Sequence, residues 1–286
     1  PNFKNPYFLM LFFAYQICIV NVIKKTPFIL NFQIMLEIIA LSLIQGITEF
    51  LPISSSSHLI MMSEFTNFEN KGLSVDVSLH IGSFLAVLTF FHRDIIDFVK
   101  NKKLFIKIFI SSIPVIICGF ILVETNLIKN LRNIEMIGWT TLIFGLLLFV
   151  SDKFSLEKNI NNNFNFKSAI IIGLFQVLSL IPGVSRSGIT ITAARILNFE
   201  RFDAAKISFL LSIPTLGAVS IFGINNIISS GDLIFSTVNL VSIILSFIFS
   251  LLTIKFFLKY IKKASLNIFV MYRLLLGFIL LGAAYL

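Results

Sequence analysis

Apolar runs long enough, or nearly long enough, to cross a membrane recur along the chain, and short polar loops separate them. A membrane-spanning helix needs about 20 predominantly apolar residues. The apolar runs lie at 8–23, 76–92, 104–123, 134–150, 203–225, 236–257 and 266–286. Their regular recurrence predicts an all-α polytopic membrane protein that forms one bundle rather than separate domains.

Two further apolar regions, 35–64 and 168–195, are interrupted by polar residues, Gly and Pro. Loop charge indicates how they meet the membrane, because cytoplasmic loops carry an excess of Lys and Arg. Region 168–195 starts beside Lys167 and ends at Arg195, and both ends lie in basic segments. A segment that enters and leaves on one side is not a simple span, so we predict a re-entrant hairpin of two half-length helices.

The order of the spans predicts the same architecture for region 35–64. The basic loops at 93–107, 153–167 and 255–263 are placed in the cytoplasm, so the span 76–92 starts outside. Both ends of region 35–64 then lie outside as well. It is therefore predicted to form a second re-entrant hairpin, inserted from the opposite face.

The two predicted hairpins are related by an internal repeat. Gln45 is followed nine residues later by Ser54, and Gln176 is followed nine residues later by Ser185, so both pairs share an offset of 131 residues. Three spans, an odd number, separate the hairpins, and this inverts the second copy. We therefore predict two inverted-topology repeats whose hairpin tips meet near the midplane, each a re-entrant helical hairpin plus three transmembrane helices, at about 35–150 and 168–286.

The stretch before Met35 is patterned less clearly than the rest. An extra span over 8–23 and a stretch upstream of the true start both fit, whereas a signal peptide ranks last because a small-residue cleavage site is missing. We predict that residues 1–34 are an N-terminal extension or extra span. Residues 35–286 are then a single membrane-embedded domain.

Composition agrees with the membrane assignment and limits the other classes. Hydrophobic residues make up 57% of the chain and charged residues 13%, against about 25% charged residues in a typical soluble domain. The net charge of +9 lies in short loops between spans, so it indicates topology rather than nucleic-acid binding. Cys18 and Cys118 are isolated in apolar runs, which predicts neither a disulfide framework nor a metal cluster.

The first hairpin contains the unusually polar stretch QGITEFLPISSSSH, residues 45–58. Gln45 and Glu49 are four residues apart and share one helix face. Pro52 ends or kinks this half-helix, and the serine run that follows can cap the next one. His58 lies three or four residues beyond the first two serines and can share their face.

The second hairpin contains PGVSRSG, residues 182–188. Its glycines permit close backbone approach, its serines can donate hydrogen bonds, and Arg186 supplies a fixed cation. Helix N-termini, hydroxyls and a guanidinium together suit a phosphate or diphosphate. Glu49 and His58 supply acid–base groups beside them.

A packing role explains any one of these serines well, because serines in membrane helices often bond a carbonyl or allow close contact. Glu49 alone would also fit a structural pair with a lysine. The combination of hydroxyls, His, Glu and Arg at repeat-related tips favours function, since ionisable groups are costly in a membrane. His80 precedes Ser83 by three residues and could line the same cavity.

Other polar residues are interpreted as structural. His92, Arg93 and Asp94 fit an interface anchor at a span end. Trp139 and the tyrosines fit membrane-interface or packing positions. The remaining acidic residues fit solvated loop charges, at Glu124, Glu135 and Asp232.

These motifs resemble those of the bacterial undecaprenyl-diphosphatase family of the bacitracin-resistance type. Residues 45–58 are similar to its (Glu/Gln)-x-x-x-Glu and Pro-x-Ser-Ser-x-x-His signature, and residues 182–190 to its Pro-Gly-x-Ser-Arg-Ser-Gly-x-Thr motif. Further similarity covers LHIGSFLAV (79–87), AAKISFLLSIP (204–214) and YRLLLG (272–277). The resemblance extends from about Met35 to Leu286.

The resemblance implies an enzyme that hydrolyses undecaprenyl diphosphate to the monophosphate and phosphate. The recycled carrier would serve peptidoglycan synthesis, cell wall biogenesis and cell shape, and the activity would confer bacitracin resistance. A divalent cation, Mg²⁺ or Ca²⁺, is implied, as is a multi-pass protein of the bacterial cytoplasmic (inner) membrane with its site open to the outer face. The expected partners are the polyprenyl diphosphate and membrane lipids, without nucleic acid, and a homo-oligomer is compatible with this arrangement.

The family pattern also implies roles for residues of this chain. Gln45 stands where many members have glutamate, so Glu49 carries more of the expected chemistry. Ser55 activated by His58, His58 itself and an activated water all fit as the nucleophile. The implied catalytic residues are Glu49, Ser55, His58 and Arg186, the implied metal ligand is Glu49, and the implied substrate-binding residues are Gln45, Ser54, Ser56, Ser57, Ser185, Ser187 and Thr190.

Two other functions use some of the same features. The type 2 phosphatidic-acid phosphatase superfamily needs a second histidine after its Ser-Arg, and no histidine follows Arg186 in this chain. A polyprenyl-phosphate transporter or flippase would also use inverted repeats and broken helices. A pure transporter needs no acid–base pair, so Glu49 and His58 favour the enzyme.

Overall fold

A computed structural model of the chain describes residues 27–65, 73–100, 102–125, 127, 133–229 and 237–286. The predicted span 8–23 lies outside the described residues. Within them the secondary structure is helical, and β-pairing is limited to one bridge between Lys158 and Phe199. The α-helices are α1 Pro27–Thr48, α2 Ser55–Phe65, α3 Leu73–Phe90, α4 His92–Lys100, α5 Lys102–Glu124, α6 Ile134–Ser151, α7 Ile160–Asn163, α8 Phe166–Val177, α9 Arg186–Ile196, α10 Arg201–Ser229, α11 Thr237–Ile261 and α12 Asn267–Tyr285.

The six spans predicted between residues 76 and 286 are confirmed as helices. Helices α3, α5, α6, α10, α11 and α12 are long and apolar enough to cross a membrane. Large apolar side chains remain exposed on their outer faces, among them Ile221, Phe256 and Phe278. An outer surface with this many apolar side chains is stable in lipid rather than in water. The chain is therefore a multi-pass membrane protein.

Both interrupted regions are helices broken at their centres. Region 35–64 comprises α1 and α2, and region 168–195 comprises α8, a short 3₁₀ turn at Leu178–Leu180 and α9. The side of the membrane on which each hairpin opens, and the inversion of one repeat relative to the other, stay predictions. Helix α1 begins at Pro27, before the domain limit of 35 predicted from the sequence, and the division of the chain at that residue stays a prediction.

Each hairpin packs against a span of the other half of the chain. Helix α1 lies on α11, and α8 lies on α5, while α3 crosses α10 and α11 at the centre and α6 pairs with α12. Gly173 allows the close contact of α8 with α5, because a Cβ there would lie 2.3 Å from the carbonyl oxygen of Ser111. Small residues at such crossings let membrane helices approach closely.

A cluster of aromatic side chains fixes the first hairpin tip in the bundle. Phe50 is completely buried, and its ring meets that of Phe209 on α10 edge to face, with centroids 5.4 Å apart. Phe209 in turn contacts Phe91 and Phe257. Because Phe50 directly follows Glu49, this packing also holds the carboxylate in place.

Candidate active site

The two hairpin tips meet, and an ion pair joins them. Arg186, the first residue of α9, donates from Nη2 to Glu49 Oε1 at 2.5 Å, and Glu49 directly follows α1. The side chains are 12% and 7% exposed. A second bond joins the tips where Ser187 Oγ donates to the carbonyl of Leu51 at 2.7 Å. The sequence-predicted carboxylate and arginine therefore share one site, although 137 residues separate them along the chain.

The backbone adopts the same uncommon conformation at both tips. Ser54 has a φ of 74° and Ser185 a φ of 69°, and each residue immediately precedes a helix. The left-handed region costs a non-glycine residue about 1 kcal/mol or more, so such positions persist only where the surrounding structure fixes them. The two residues are those related by the predicted 131-residue repeat. Helices α2 and α9 consequently start at the site, with their N-termini at the tips.

Glycine is required at one position of the second tip. Gly183 has a φ of 94°, and a Cβ there would lie 1.9 Å from Thr140 Oγ1. This closeness lets Thr140, on α6, donate to the carbonyl of Pro182 at 2.6 Å. The tip is thereby held against α6.

Glu49 accepts hydrogen bonds from three side chains. Ser55 Oγ donates to Oε2 at 2.7 Å and Gln45 Nε2 donates to Oε2 at 3.2 Å, in addition to the bond from Arg186. A hydroxyl that donates to a buried carboxylate has the arrangement of a nucleophile beside a general base. Among the serines of the first tip, Ser55 is the one whose hydroxyl bonds Glu49.

The hydrogen bonds of His58 go to Ser54 and Tyr272. Its Nδ1 lies 2.6 Å from the carbonyl oxygen of Ser54, so Nδ1 carries the proton and donates. Its Nε2 lies 2.5 Å from the hydroxyl of Tyr272, which then donates to it, and the two rings stack at 5.7 Å. The structure gives His58 no hydrogen bond to Ser55 within the described residues. Tyr272, interpreted from the sequence as an interface or packing residue, instead orients this imidazole.

Arg273 makes a further connection between the two hairpin tips. It lies on α12, is 1% exposed, and donates to the carbonyls of Pro52 at 3.3 Å, Val184 at 3.0 Å and Gly183 at 2.8 Å. Its Nε also donates to the carbonyl of Thr141 at 3.3 Å. Sequence reasoning assigned Arg273 no role, although an arginine within an apolar span was itself a signal.

Two buried polar atoms at the site lack a hydrogen-bond partner among the described residues. They are Nη1 of Arg186, a donor, and Oε1 of Gln45, an acceptor. Buried polar groups are nearly always paired, so both atoms are available to bond a substrate, an ion or water. A phosphate oxygen suits the first atom, and a cation suits the second.

The other predicted binding residues differ in their exposure and in their hydrogen-bond partners. Ser54 and Ser57 are buried and bonded to each other at 2.9 Å, whereas Ser56 is exposed. Ser185 Oγ accepts from the Gly188 amide at 3.1 Å and so caps α9. The hydroxyl of Thr190 bonds Ser208 at 2.7 Å and the carbonyl of Arg186 at 2.8 Å, and so joins α9 to α10. Its role in substrate binding stays a prediction.

An apolar cavity of about 450 Å³ adjoins the second tip. It lies between α3, α5 and α10, and the tip contributes Leu180. His80 lines this cavity beside Asp76. The side chains that form most of its wall are apolar, among them Val115, Phe120, Val219 and Phe222.

The oxygen donors at the first tip fit a hard divalent cation. Within the described ranges no three His, Cys, Asp or Glu side chains cluster as a metal site, so a cage made only of such ligands is not formed there. Mg²⁺ commonly uses one or two protein oxygens and completes its shell with water and substrate phosphates. Glu49 and the unpaired Oε1 of Gln45 match that pattern.

Comparison with known proteins places the chain among relatives that share nearly its whole length. The family model described as "Bacitracin resistance protein BacA" matches residues 38–279. An undecaprenyl-diphosphatase of Pelagibacter ubique (strain HTCC1062) is 50% identical over 87% of this chain and 97% of its own length. Proteins of the same name from Jannaschia sp. (strain CCS1) and Ruegeria pomeroyi are 40% and 37% identical over 86% and 87% of this chain, and over 97% and 98% of their own lengths. The chain therefore belongs to the bacitracin resistance protein BacA family.

Proposed function

We propose that this protein hydrolyses undecaprenyl diphosphate to undecaprenyl phosphate and phosphate. Relatives up to 50% identical over most of the chain are named for that substrate. The observation that carries the proposal is the buried constellation of Arg186, Glu49 and Ser55, which combines an anion ligand, a base and a hydroxyl. The recycled carrier would re-enter peptidoglycan synthesis, and this turnover would underlie bacitracin resistance.

The diphosphate would bind between the tips. Helices α2 and α9 begin there, and the first amides of a helix, together with its dipole, attract anions. Arg186 Nη1 has a free donor in the same place. The guanidinium would then also offset the charge that develops on the transferred phosphoryl group.

Ser55 is our candidate nucleophile, with Glu49 as its base. Its oxygen would bond to the terminal phosphorus while Glu49 takes the hydroxyl proton, and the bridging P–O bond would break to release undecaprenyl phosphate. Glu49 would pass that proton to the departing undecaprenyl phosphate and become a carboxylate again. It would then take a proton from the water that attacks the phosphorus of phosphoserine, and return that proton to the Ser55 oxygen as phosphate is released. Binding of the diphosphate competes for Arg186, and this makes Glu49 a better proton acceptor.

The other nucleophiles are less well supported. Both nitrogens of His58 are already hydrogen-bonded, to Ser54 and to Tyr272. Direct attack by water would leave the bond between Ser55 and Glu49 without a chemical use. Pure transport of the lipid would likewise leave that bond unused, so the hydrolase is favoured over the flippase.

Glu49 and Gln45 would hold the divalent cation, Mg²⁺ or Ca²⁺. When bound, the cation would neutralise phosphate charge beside Arg186. The first isoprenyl units of the tail would occupy the 450 Å³ cavity, whose apolar wall starts at the second tip. The rest of the tail would lie between the spans in contact with lipid. The family resemblance implies a location in the cytoplasmic membrane with the site open to its outer face. Loop charge supports the orientation of the spans.

Phosphate release from a C55 diphosphate by the purified protein tests the proposal. Glu49→Gln and Arg186→Lys should each lower kcat by about a hundredfold or more. Matched controls are Glu135→Gln and Arg93→Lys, because both of these residues are exposed and lie outside the site. Unimpaired release by the two site variants would overturn the site assignment. A wild-type protein that moves the carrier across vesicles without releasing phosphate would establish the transporter instead.

A further inference from the structure

A second cavity, of about 430 Å³, lies at the junction of α6, α10 and α12. We call it the α6–α12 cavity and define it by Lys153, Phe154, Leu156, Arg201, Ser265 and Asn267. It lies about 15 Å from the hairpin tips, since ten residues of α6 at 1.5 Å each separate Thr141 from Ser151. The proposed hydrolysis makes no use of it.

Positive charge exceeds negative charge around this cavity. Asp152 is the common partner of Arg195, at 3.6 Å, and of Arg201, at 2.7 Å. Lys153 is exposed at the rim. Of the charged side chains that line the cavity, Lys153 and Arg201 are cationic and Asp152 is anionic, which leaves an excess of one positive charge.

These groups are fixed in position before any ligand arrives. Arg195 is completely buried and donates to the carbonyls of Phe199 and Ser155, at 2.5 Å and 3.2 Å. Arg201 bonds Asp152 through Nε and Nη2, and its Nη1 has no hydrogen bond among the described residues. The ammonium of Lys153 lies 4.2 Å from the centre of the Phe149 ring.

Exposed apolar side chains lie next to the cations along the chain. Phe154 is 42% exposed and Leu156 48%, and Ile268, next to Asn267, is 58% exposed. A free phosphate ion would gain nothing from this apolar margin. A lipid phosphate would use both parts, with its charge on Lys153 and Arg201 and its acyl chains along the exposed side chains.

We propose that the α6–α12 cavity binds the phosphate headgroup of an anionic phospholipid. The cavity opens at the ends of α6, α10 and α12 that the loop charges place in the cytoplasm, where a leaflet containing anionic lipids lies. A lipid phosphate bound in the cavity would contact the starts of α10 and α12 and the end of α6. The site is independent of the one at the hairpin tips.

Native mass spectrometry of the full chain in neutral detergent tests this site, with phosphatidylglycerol and phosphatidylcholine as probes. The wild-type protein should retain phosphatidylglycerol in preference to phosphatidylcholine. Lys153→Gln should weaken that retention about fivefold, because one interfacial cation contributes about 1 kcal/mol. Lys103→Gln is the matched control, since Lys103 is exposed at the start of α5, outside the cavity. Lys153 is exposed, so its replacement leaves the fold intact.

Each other outcome overturns the proposal. Equal losses in Lys153→Gln and Lys103→Gln would show diffuse surface attraction. Equal retention of the two lipids would show that the charge of the headgroup does not determine binding. Displacement of phosphatidylglycerol by millimolar inorganic phosphate would assign the cavity to the free ion. Phosphate release from a C55 diphosphate should be unchanged in Lys153→Gln, which keeps this test separate from that of the proposed hydrolase.

Discussion

At the residue scale, the decisive contact is the hydrogen bond from Ser55 to Glu49. Ser55→Ala should lower kcat by at least about a thousandfold, because it removes the proposed nucleophile and keeps the surrounding bonds of Glu49. Ser229→Ala is the control, since Ser229 is an exposed serine at the end of α10. Phosphate release under saturating substrate measures both. Activity of Ser55→Ala close to that of the wild type would leave direct attack by water as the mechanism.

The Tyr272 hydroxyl fixes the ring of His58, and its removal can be tested separately. Tyr272→Phe keeps the stacked ring but loses the bond to Nε2, so kcat should fall about threefold to tenfold with little change in KM. Tyr260→Phe is the control, because that hydroxyl bonds the carbonyl of Ser265 away from the tips. The ¹⁵N shifts of His58 should show a change in tautomer balance only in the first variant. Unaltered shifts would contradict the orienting role.

Sequence patterns predicted the local part of this site and missed the rest. Gln45, Glu49 and Ser55 lie within eleven residues, so helix periodicity was enough to group them. Tyr272 is 214 residues from His58, and nothing in the pattern of an apolar helix indicates which distant segment it faces. Spacing also placed His58 beside Ser55, but the imidazole turns to the Ser54 carbonyl instead.

At the element scale, Arg273 holds the two broken helices in register. Lysine cannot reproduce its planar fork, and at least two of the buried carbonyls would lose their donor in Arg273→Lys. Each such carbonyl costs about 1–3 kcal/mol, so we expect a loss of about 2 kcal/mol or more in the free energy of unfolding. Thermal unfolding in detergent measures it, with exposed Arg93→Lys as the control. Because the tips would separate, kcat should fall more than KM rises.

The elements themselves were predicted to different degrees. Long apolar runs gave six spans within a few residues of their observed ends, because helix length in a membrane is set by hydrocarbon thickness. Pro52 and Gly183 marked where the hairpins break. Helices α4 and α7 lie in basic segments expected to be loops, since a short helix with a polar face has no hydropathy signal.

At the scale of the whole molecule, one buried carboxylate connects elements that are far apart in sequence. Asp152 ends α6, pairs with Arg195 of the second hairpin and Arg201 of α10, and accepts from the Leu266 amide, before α12, at 3.2 Å. Asp94 also forms an ion pair, with Lys206 at 2.6 Å, but its side chain is 30% exposed. The two aspartates therefore allow a buried ion pair to be compared with a partly exposed one.

Asp152→Asn should destabilise the protein by about 3–5 kcal/mol, because it leaves two arginines without their charge partner. Asp94→Asn should cost at most about 1 kcal/mol, because water and salt screen this partly exposed pair. Unfolding of both variants in the same detergent measures the difference. The folded fraction of Asp152→Asn should retain most of its phosphate release, because Arg273 and the bond from Ser187 to Leu51 still join the tips. Equal destabilisation by the two substitutions would show that the junction of α6, α10 and α12 is held by apolar packing rather than by Asp152.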